Sequence, residues 1–315
     1  MNKIKISALL LAFVVSVAGC GKNNTSDEKT SYQKEGVTSQ KEVKDLSADI
    51  RVEPVAAWSY GAVAITSDGT LVTDAGTKPK EIKGWENVLA VARGDGRTVG
   101  LRSDGTVVTD SEDDVSGWED IIAIDANDRT IIGLKKDGTV LAVGDNEFGQ
   151  CNVEDWTDIV AISADNFHTV GLKADGTVVA TGEEGNAAIE VSDWTEITDI
   201  SAGLYHTLGL KKDGTVVVAG ESKYPKCDVS GWSDIIDVEA GQNASFGIKS
   251  DGTVIVTGED KYGECEVSDW TDIVAISADM WCTVGIKSDG TAVATGWADF
   301  GEDIDVSGWK DIMLP

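Results

Sequence analysis

The chain has 315 residues, of which 55 are acidic and 26 basic, and its formal net charge is −29. This acidic excess disfavours binding to nucleic acids and to anionic lipid surfaces, because both require basic patches. It is compatible with high solubility and also with a cationic partner. Only two histidines occur, so a hydrolase that pairs a nucleophile with a histidine base has few candidate residues.

The first twenty residues have the pattern of a secretory signal. Lys3 and Lys5 precede an apolar run over residues 6–18, which is too short to span a bilayer comfortably. The segment that follows, Val17-Ala18-Gly19-Cys20, resembles the lipobox of bacterial lipoproteins. That resemblance implies a signal peptide over residues 1–19, lipidation of Cys20 (palmitate) and anchoring on the extracytoplasmic side of the cell membrane. Whether the host has one membrane or two stays open.

Residues 20–48 are polar and rich in Ser, Thr, Lys and Glu. Such a segment cannot bury enough apolar surface to offset the entropy of ordering. We therefore expect a flexible tether from the lipidated Cys20, which leaves residues 49–315 as the folded part.

Internal repeats dominate the folded part. The tripeptide Asp-Gly-Thr begins at Asp68, Asp104, Asp137, Asp175, Asp213, Asp251 and Asp289. A tryptophan recurs at Trp85, Trp118, Trp156, Trp194, Trp232, Trp270 and Trp309, and four consecutive spacings in each series equal 38 residues. Each unit contains alternating apolar runs around Asp-Gly, which is the strongest short signal for a β-hairpin.

One strand of each unit has an apolar face and a nearly bare one. Apolar residues flank a glycine, as Val170 and Leu172 flank Gly171. A bare face lets the neighbouring sheet approach closely, and neither terminus shows a polar capping repeat. The sequence therefore predicts an all-β fold, a seven-bladed β-propeller of 38-residue repeats that is expected to be a monomer. We expect the recurring tryptophan to be a packing wedge at the outer edge between blades.

The repeat resembles a known family. The segment His-Thr-Val-Gly-Leu-Lys-Ala-Asp-Gly-Thr-Val (168–178) and the segment Gly-Asp-Asn-Glu-Phe-Gly-Gln (144–150) resemble the repeat of regulator of chromosome condensation propellers. The 38-residue length is most similar to the compact bacterial form, which includes the secreted β-lactamase-inhibitor propeller. The resemblance covers residues 50–309 and implies the fold rather than a function, because the repeated residues are packing residues.

The cysteines do not indicate a disulfide framework. Cys151, Cys227 and Cys265 each lie five residues before a repeat tryptophan, so they occupy one slot in different blades. Equivalent positions in neighbouring blades should be about 10 Å apart, beyond the ~7 Å Cα limit for a disulfide. We expect free, half-buried thiols, and the absence of Cys-x-x-Cys spacing disfavours zinc.

No motif for catalysis or for a cofactor stands out. His168 and His206 occupy the same repeat slot, which favours a strand residue that is hydrogen-bonded to the next blade. The loop Asp145-Asn146-Glu147 offers oxygen ligands for calcium but lacks the spacing of a calcium loop. We expect no enzyme activity and no cofactor or metal, although calcium in a loop stays open.

The repeats differ most in the loop between the first and second strands. Equivalent loops of a ring meet on one face, so their large side chains should form a partly aromatic rim. The expected partner-binding residues are Trp58, Tyr60, Phe167, Tyr205, Met280 and Trp281. The loops that carry Phe148, Tyr224, Tyr262 and Phe300 are expected on the opposite face.

These features favour a non-catalytic, surface-anchored binding protein that recognises a protein partner on the cell surface or in the periplasm, without nucleic acid. Two alternatives remain: an inhibitor of the secreted β-lactamase-inhibitor type, and a lipoprotein that binds carbohydrate or the cell wall. The rim aromatics could also simply plug the central channel.

Overall fold

The computed structural model describes residues 50–58, 61–74, 84–94, 96–221, 225–299 and 302–315, without the side chains of residues 298, 299 and 302. The expected signal peptide (1–19), the Cys20 anchor and the tether (20–48) lie outside these ranges. So do Tyr60, Tyr224 and Phe300. Within the described ranges, no helix combines the length and apolarity needed to cross a bilayer.

Seven antiparallel sheets follow one another along the described chain, and each consists of strands consecutive in sequence. Blade 1 is β1 (Val55–Trp58), β2 (Gly61–Ile65) and β3 (Leu71–Thr73). Blade 2 is β4 (Val88–Gly94), β5 (Arg97–Arg102) and β6 (Val107–Thr109). Blade 3 is β7 (Ile121–Ala126), β8 (Thr130–Lys135) and β9 (Val140–Gly144). Blades 4 and 5 are β10 (Ile159–Asp165), β11 (His168–Lys173) and β12 (Val178–Gly182); and β13 (Ile197–Gly203), β14 (His206–Lys211) and β15 (Val216–Gly220).

Blade 6 is β16 (Ile235–Ala240), β17 (Ala244–Lys249) and β18 (Val254–Gly258). Blade 7 is β19 (Ile273–Ala278), β20 (Cys282–Lys287) and β21 (Ala292–Asp299), with a fourth short strand, β22 (Glu302–Asp303). Two 3-10 helices, Ala187–Ile189 and Pro225–Cys227, lie in the connections after blades 4 and 5. The predicted all-β, seven-bladed propeller is confirmed.

The Asp-Gly-Thr tripeptides form the hairpin turns between the second and third strands. In blade 4, Gly176 has a φ of +81°, a conformation that glycine adopts without a steric penalty. The carboxylate of Asp175 accepts hydrogen bonds from the backbone N–H of Thr177 (3.0 Å) and from its hydroxyl (2.6 Å). These turns therefore form one end of every blade, which we call the lower face.

The first strands of neighbouring blades pack against one another around a central channel. A side chain in the first strand of one blade accepts a hydrogen bond from a backbone N–H in the first strand of the next. The pairs are Ala164 to Asp125 (2.8 Å), Ala202 to Ser163 (3.0 Å), Ala240 to Ser201 (2.9 Å), Ala278 to Glu239 (3.0 Å) and, across the closure, Ala57 to Ser277 (3.0 Å). These bonds give adjacent blades a fixed register.

Both ends of the described chain contribute to blade 1. The N–H of Ile65 in β2 donates to the carbonyl of Pro54, just before β1 (2.8 Å). The carbonyl of Ile65 accepts from the N–H of Met313 (2.8 Å), and Thr66 forms an antiparallel bridge with Ile312. The innermost strand of blade 1 is thus shared between an N-terminal and a C-terminal segment, which closes the ring.

The repeat tryptophan fills the bare face of the middle strand. A methyl group placed on Gly209 would lie 2.5 Å from a ring carbon of Trp194, and five other blades repeat this contact. Trp194 is buried with Val170 and Leu172 of the preceding blade. It therefore packs between two blades, as expected. The bare face, however, admits the indole of the connecting segment and not the neighbouring sheet directly.

Candidate binding face

The loops after the first strand and the loops after the third strand lie on the same face. The ring of Phe148, which follows β9, meets the ring of Phe167, which follows β10, edge to face at 5.2 Å. Tyr262, which follows β18, likewise contacts Trp281, which follows β19, at 5.7 Å. The expectation that Phe148 and Tyr262 lie on the opposite face is therefore wrong. We call the shared face the upper face.

Strand direction explains this arrangement. In three antiparallel strands, the first and third run in the same direction, so their ends point to the same side. The lower face is left with the Asp-Gly-Thr turns. The upper face consequently carries two variable loops per blade.

The first aromatic cluster consists of Phe148, Phe167 and Tyr205. Phe167 and Tyr205 stack nearly parallel, with their ring centroids 5.0 Å apart and their planes at 11°. The guanidinium of Arg129 lies 5.6 Å from the rings of both phenylalanines and pairs with the carboxylate of Asp145 at 2.7 Å. Blades 3, 4 and 5 thus share one aromatic surface.

Tyr205 presents the most exposed ring of this cluster. Its side chain is 38% exposed, and its φ of +62° lies in the left-handed region that residues other than glycine rarely adopt. Such backbone strain often accompanies functional positions.

The second aromatic cluster consists of Tyr262, Trp281 and Trp297. The ring of Tyr262 lies 5.7 Å from that of Trp281 and 5.3 Å from that of Trp297, tilted by 51° and 58°. Trp297, at 38% exposed, is the most accessible of the three. Sequence reasoning identified Trp281, placed Tyr262 on the wrong face and missed Trp297. The available signal was that Trp297 lies outside the periodic tryptophan slot.

Trp58 and Met280 do not belong to either cluster. Trp58 is 2% exposed and packs in the core of blade 1, with the guanidinium of Arg93 over its ring at 3.4 Å. The expectation of an exposed rim position for Trp58 is therefore wrong. Met280 is half-buried, and its carbonyl accepts from the side-chain amide of Asn243 (3.5 Å). Tyr60 lies outside the described residues.

The two histidines link neighbouring blades. Nε2 of His168 lies 2.8 Å from the hydroxyl of Thr207, which donates its own hydrogen to the carbonyl of Ala188 (2.8 Å). His168 must therefore be the donor. His206 makes the same contact with Ser245 (2.9 Å). Burial lowers the pKa of His168 to about 4 and that of His206 to about 3, so both are neutral near pH 7.

The central channel contains one arginine from the N-terminal segment. The backbone N–H of Arg51 donates to the carbonyl of Ile122 in blade 3 (3.1 Å), and its guanidinium reaches Asp199 in blade 5 (3.1 Å). The same guanidinium pairs with Glu53 at 2.6 Å. The Arg51 side chain is nevertheless 49% exposed, so water reaches this ion pair.

Carboxyl groups outnumber this arginine in the channel. Burial raises the pKa of Asp125 to about 6 and that of Glu239 to about 8. Burial, and then the charge of Asp199, raise the pKa of Asp237 well above its ordinary value. Burial also raises the pKa of Glu53. The channel therefore concentrates carboxyl groups that resist ionisation.

The residues described show no catalytic or metal-binding constellation. No three His, Cys, Asp or Glu side chains among them converge as metal ligands do. In the loop considered for calcium, one oxygen of Asp145 accepts from the N–H of Glu147 (2.9 Å) and the other pairs with Arg129 (2.7 Å). Both oxygens are thus already engaged.

The cysteines of the described chain carry free thiols. Burial raises the pKa of Cys151 to about 11 and that of Cys265 to about 12, so both stay protonated near pH 7. Cys282 is fully buried against the carbonyl of Trp58 (3.5 Å). The expectation of unpaired filler thiols is confirmed for these residues.

A groove of about 780 Å³ lies away from the upper face, between the outer parts of blades 5 and 6. It is lined by Trp194, Trp232 and the edge strand around Val217. No cluster of converging charged groups marks it as a chemical site, and its walls are the blade-to-blade packing described above. The aromatic loops are the stronger candidate.

Comparison with known proteins agrees with this geometry. Residues 121–150 and 197–224 match the family model described as "Regulator of chromosome condensation (RCC1) repeat". These segments are RCC1-type repeats. They cover blade 3 and blade 5 with the loops that follow them. No curated protein matches the chain.

Solved structures similar to this chain are propellers of low sequence identity. The CRINKLY WD40 ectodomain of the receptor kinase ACR4 from Arabidopsis thaliana is 18% identical, with a TM-score of 0.64 over 82% of this chain and 98% of that one. Prp20p from Saccharomyces cerevisiae is 15% identical, with a TM-score of 0.58 over 82% of this chain and 86% of that one. At this level of identity the likeness shows the fold alone.

Proposed function

We propose that this protein is a non-catalytic, lipid-anchored binding protein that recognises a protein partner through its upper face. The observation that supports this most is the presence of two aromatic clusters on one face, built from five loops and from Trp297 of β21. Aromatic rings with polar neighbours are the side chains over which binding energy concentrates at protein interfaces. The opposite face, made of Asp-Gly-Thr turns, offers no comparable surface in the described residues.

The chemistry of the interior supports a non-catalytic role. Both histidines are buried, neutral and engaged between blades. The thiols of Cys151 and Cys265 have raised pKa values, which makes them poor nucleophiles. A catalytic role would need an accessible base beside a nucleophile.

The proposed location rests on the first twenty residues. Their resemblance to a lipoprotein signal supports anchoring through Cys20 on the extracytoplasmic side of the cell membrane. A net charge of −29 opposes adsorption to anionic headgroups, so contact with the membrane is assigned to the lipid alone.

Related propellers support recognition of proteins as the use of this fold. Prp20p is described with binding properties to Gsp1p and histones, and it was also solved bound to Kap60. We do not carry those partners over, because at 14–15% identity the likeness to Prp20p shows the fold alone.

The test is capture of a surface protein by the full chain, immobilised and mapped with single variants. Tyr205→Ala and Trp281→Ala should each weaken the captured complex at least tenfold, about 1.4 kcal/mol or more, because both remove interface-sized rings. Ile236→Ala is the matched control, since Ile236 is 55% exposed on a first strand away from the aromatic clusters.

Separate arms distinguish the alternatives. Selective binding on a glycan array, lost in the same variants, would replace the protein partner by carbohydrate. Inhibition of β-lactamases would narrow the partner to that enzyme class. Capture that survives both aromatic substitutions would refute the upper face as the binding surface.

A further inference from the structure

Four residues occupy one slot in the loops after blades 3 to 6. In each case the backbone carbonyl accepts from a hydroxyl 19 residues later in the next blade. The pairs are Gln150 with Thr169 (2.8 Å), Ala188 with Thr207 (2.8 Å), Lys226 with Ser245 (2.7 Å) and Glu264 with Thr283 (2.9 Å). This shared bond makes the four positions structurally equivalent.

Two members of the slot direct an N–H group toward carbonyls of the upper-face loops. The buried side chain of Gln150 donates to the carbonyl of Asn166 (3.4 Å). The ammonium of Lys226, 6% exposed, donates to the carbonyls of Leu204 and Gln242, the latter at 2.7 Å. The ammonium of Lys226 is thus held beneath the upper-face loops of blades 5 and 6.

Glu264 places an acceptor in the same slot. It is 1% exposed, and one of its oxygens accepts from the N–H of Tyr262 (2.6 Å). Its other oxygen is buried, and no hydrogen-bond donor reaches it among the described residues. By the repeat equivalence, this oxygen corresponds to the amide nitrogen of Gln150, and Met280 corresponds to Asn166. A buried carboxylate oxygen without a donor is costly, so this corner favours a cation.

The second aromatic cluster is joined to this corner through Tyr262. Tyr262, whose N–H binds Glu264, is also the central ring between Trp281 and Trp297. The ammonium of Lys261 lies 4.9 Å from the centroid of the Tyr262 ring, so this ring holds a cation of the same chain against its face. A hydrogen bond to Tyr262, and then the nearby charges of Glu259 and Glu264, raise the pKa of Lys261.

We propose that Glu264, together with Tyr262, Trp281 and Trp297, forms a recognition site for a lysine or arginine side chain of the protein partner. This inference rests on the proposed function, since it names the chemistry of the group that the upper face receives. A buried carboxylate bound to the backbone of an aromatic cluster suits an ammonium or guanidinium better than a metal ion, which prefers several converging oxygen or nitrogen ligands. The charge of the chain, −29, is complementary to such a partner.

The experiment titrates octalysine and octaarginine peptides into the full chain by calorimetry, with octaglutamate as the negative probe. Glu264→Gln should weaken binding of the basic peptides at least tenfold. The fold should persist, because glutamine already occupies this slot at Gln150. Glu266→Gln, which removes the same charge from an exposed residue two positions away, should change the affinity less than twofold.

Three results would overturn the proposal. Glu264→Gln could bind the basic peptides as tightly as the unchanged protein, which would mean that the Glu264 carboxyl group does not contact the bound cation. Alternatively, Glu266→Gln could weaken binding as much as Glu264→Gln, which would reduce the effect to net charge. The basic peptides could also fail to bind the unchanged protein while Tyr205→Ala and Trp281→Ala still weaken partner capture. That result would leave the proposed function in place and refute the cation site.

Discussion

At the scale of single residues, the ring depends on a contact between a tryptophan and a glycine. The indole of Trp156 lies where a side chain of Gly171 would be, with a ring carbon 2.7 Å from the position of a Cβ atom. Real Cβ atoms do not approach carbon this closely, so the two positions must be occupied by one large residue and one glycine.

Replacement of Gly171 with Leu should destabilise the propeller by about 3 kcal/mol, the upper end of the usual cost of overpacking. Gly117→Leu is the control, because no atom lies within 4 Å of a Cβ atom at that exposed glycine. Urea unfolding followed by circular dichroism measures both. Equal midpoints for the two variants would contradict the packing role of the bare face.

Two tryptophans should differ in role, with Trp194 needed for packing and Trp281 for recognition of the partner. Trp194 is 8% exposed between blades 4 and 5, so Trp194→Ala should cost about 3–5 kcal/mol of stability. Trp281 lies half-exposed on the upper face, and Trp281→Ala should cost much less stability while weakening partner capture. Thermal unfolding and partner titration on both variants check this. The reverse pattern would exchange the two assignments.

The expected lipid anchor can be tested at a single atom, the thiol sulfur of Cys20. Cys20→Ala removes the thiol that would be acylated, so metabolic labelling with a fatty acid should fall to background and the protein should leave the membrane fraction. The matched substitution is Cys151→Ala, which should keep full labelling because its thiol is half-buried in a blade. Labelling of Cys20→Ala at the normal level would rule out the lipoprotein interpretation.

Residue by residue, the sequence identified part of the candidate site. Phe167, Tyr205 and Trp281 could be found because they interrupt a repeat whose other positions are packing residues. Trp58 also interrupts the repeat, but it lies at the closure, where a shared strand leaves space that a large ring fills. Only the assembled ring could show that difference in burial.

At the scale of elements, the shared first strand of blade 1 holds the ring closed. Removal of residues 311–315 deletes Ile312, which is 2% exposed, and the backbone bond from Met313 to Ile65. Loss of a buried isoleucine and of strand pairing should cost at least about 3 kcal/mol. Removal of residues 314–315 alone should be nearly neutral, since Leu314 is 44% exposed.

Limited proteolysis and thermal unfolding compare these two truncations. The longer one should expose cleavage sites in blade 1 first, before those in blades 3 to 6. Unchanged stability of the longer truncation would mean that the C-terminal segment is not part of the closure.

The assignment of faces shows where sequence reasoning about elements was incomplete. The repeat predicted three strands per blade. Three antiparallel strands require that Phe148 and Phe167 lie on the same side, yet the two loop types were placed on opposite faces. The equivalence of Gln150, Lys226 and Glu264 was also present in the repeat spacing, but the burial of Glu264 follows only from the structure.

At the scale of the whole molecule, the carboxyl groups of the channel make stability depend on pH. The folded-state pKa values of Asp125 (about 6) and Glu239 (about 8) exceed those of unfolded chains, near 4. A raised pKa means that the folded state binds more protons, so stability falls as pH rises from about 4 to about 8. The lowered pKa values of His168 and His206 act in the opposite direction below about pH 6.5, so Tm should fall between pH 7 and pH 8.

Glu239→Gln tests the assignment of this pH dependence. The amide oxygen can still accept from the N–H of Ala278, but the group no longer ionises. At pH 8 its Tm should be about 2 °C or more above that of the unchanged protein, and the decline between pH 7 and pH 8 should flatten. Asp175→Asn, at an exposed turn, should keep the full decline. A steeper decline in Glu239→Gln would reject the channel as its source.

The number of blades and their order were predictable because seven repeat units, with four consecutive spacings of 38 residues, leave few alternatives. The concentration of carboxyl groups in the channel was not predictable, because in the sequence these residues are spaced like ordinary solvated acids. Glu53 and Glu239 come from distant parts of the chain, and only closure of the ring brings them to one axis.

The entry of the chain through the channel also determines how the molecule would respond to force. A pull on the N-terminal side of Ile50 acts first on the bonds of Arg51 to Asp199 and of Glu53 to Val91, and then along the length of β1. A pull directed along β1 would load the hydrogen bonds between β1 and its antiparallel neighbour β2 together in shear and not one by one. The C-terminal half of that shared strand, Ile312 and Met313, carries none of this load directly. In a protein held by its N-terminus, the force would thus pass through the segment that lies in the central channel and through β1. The loops of the upper face do not lie on this path.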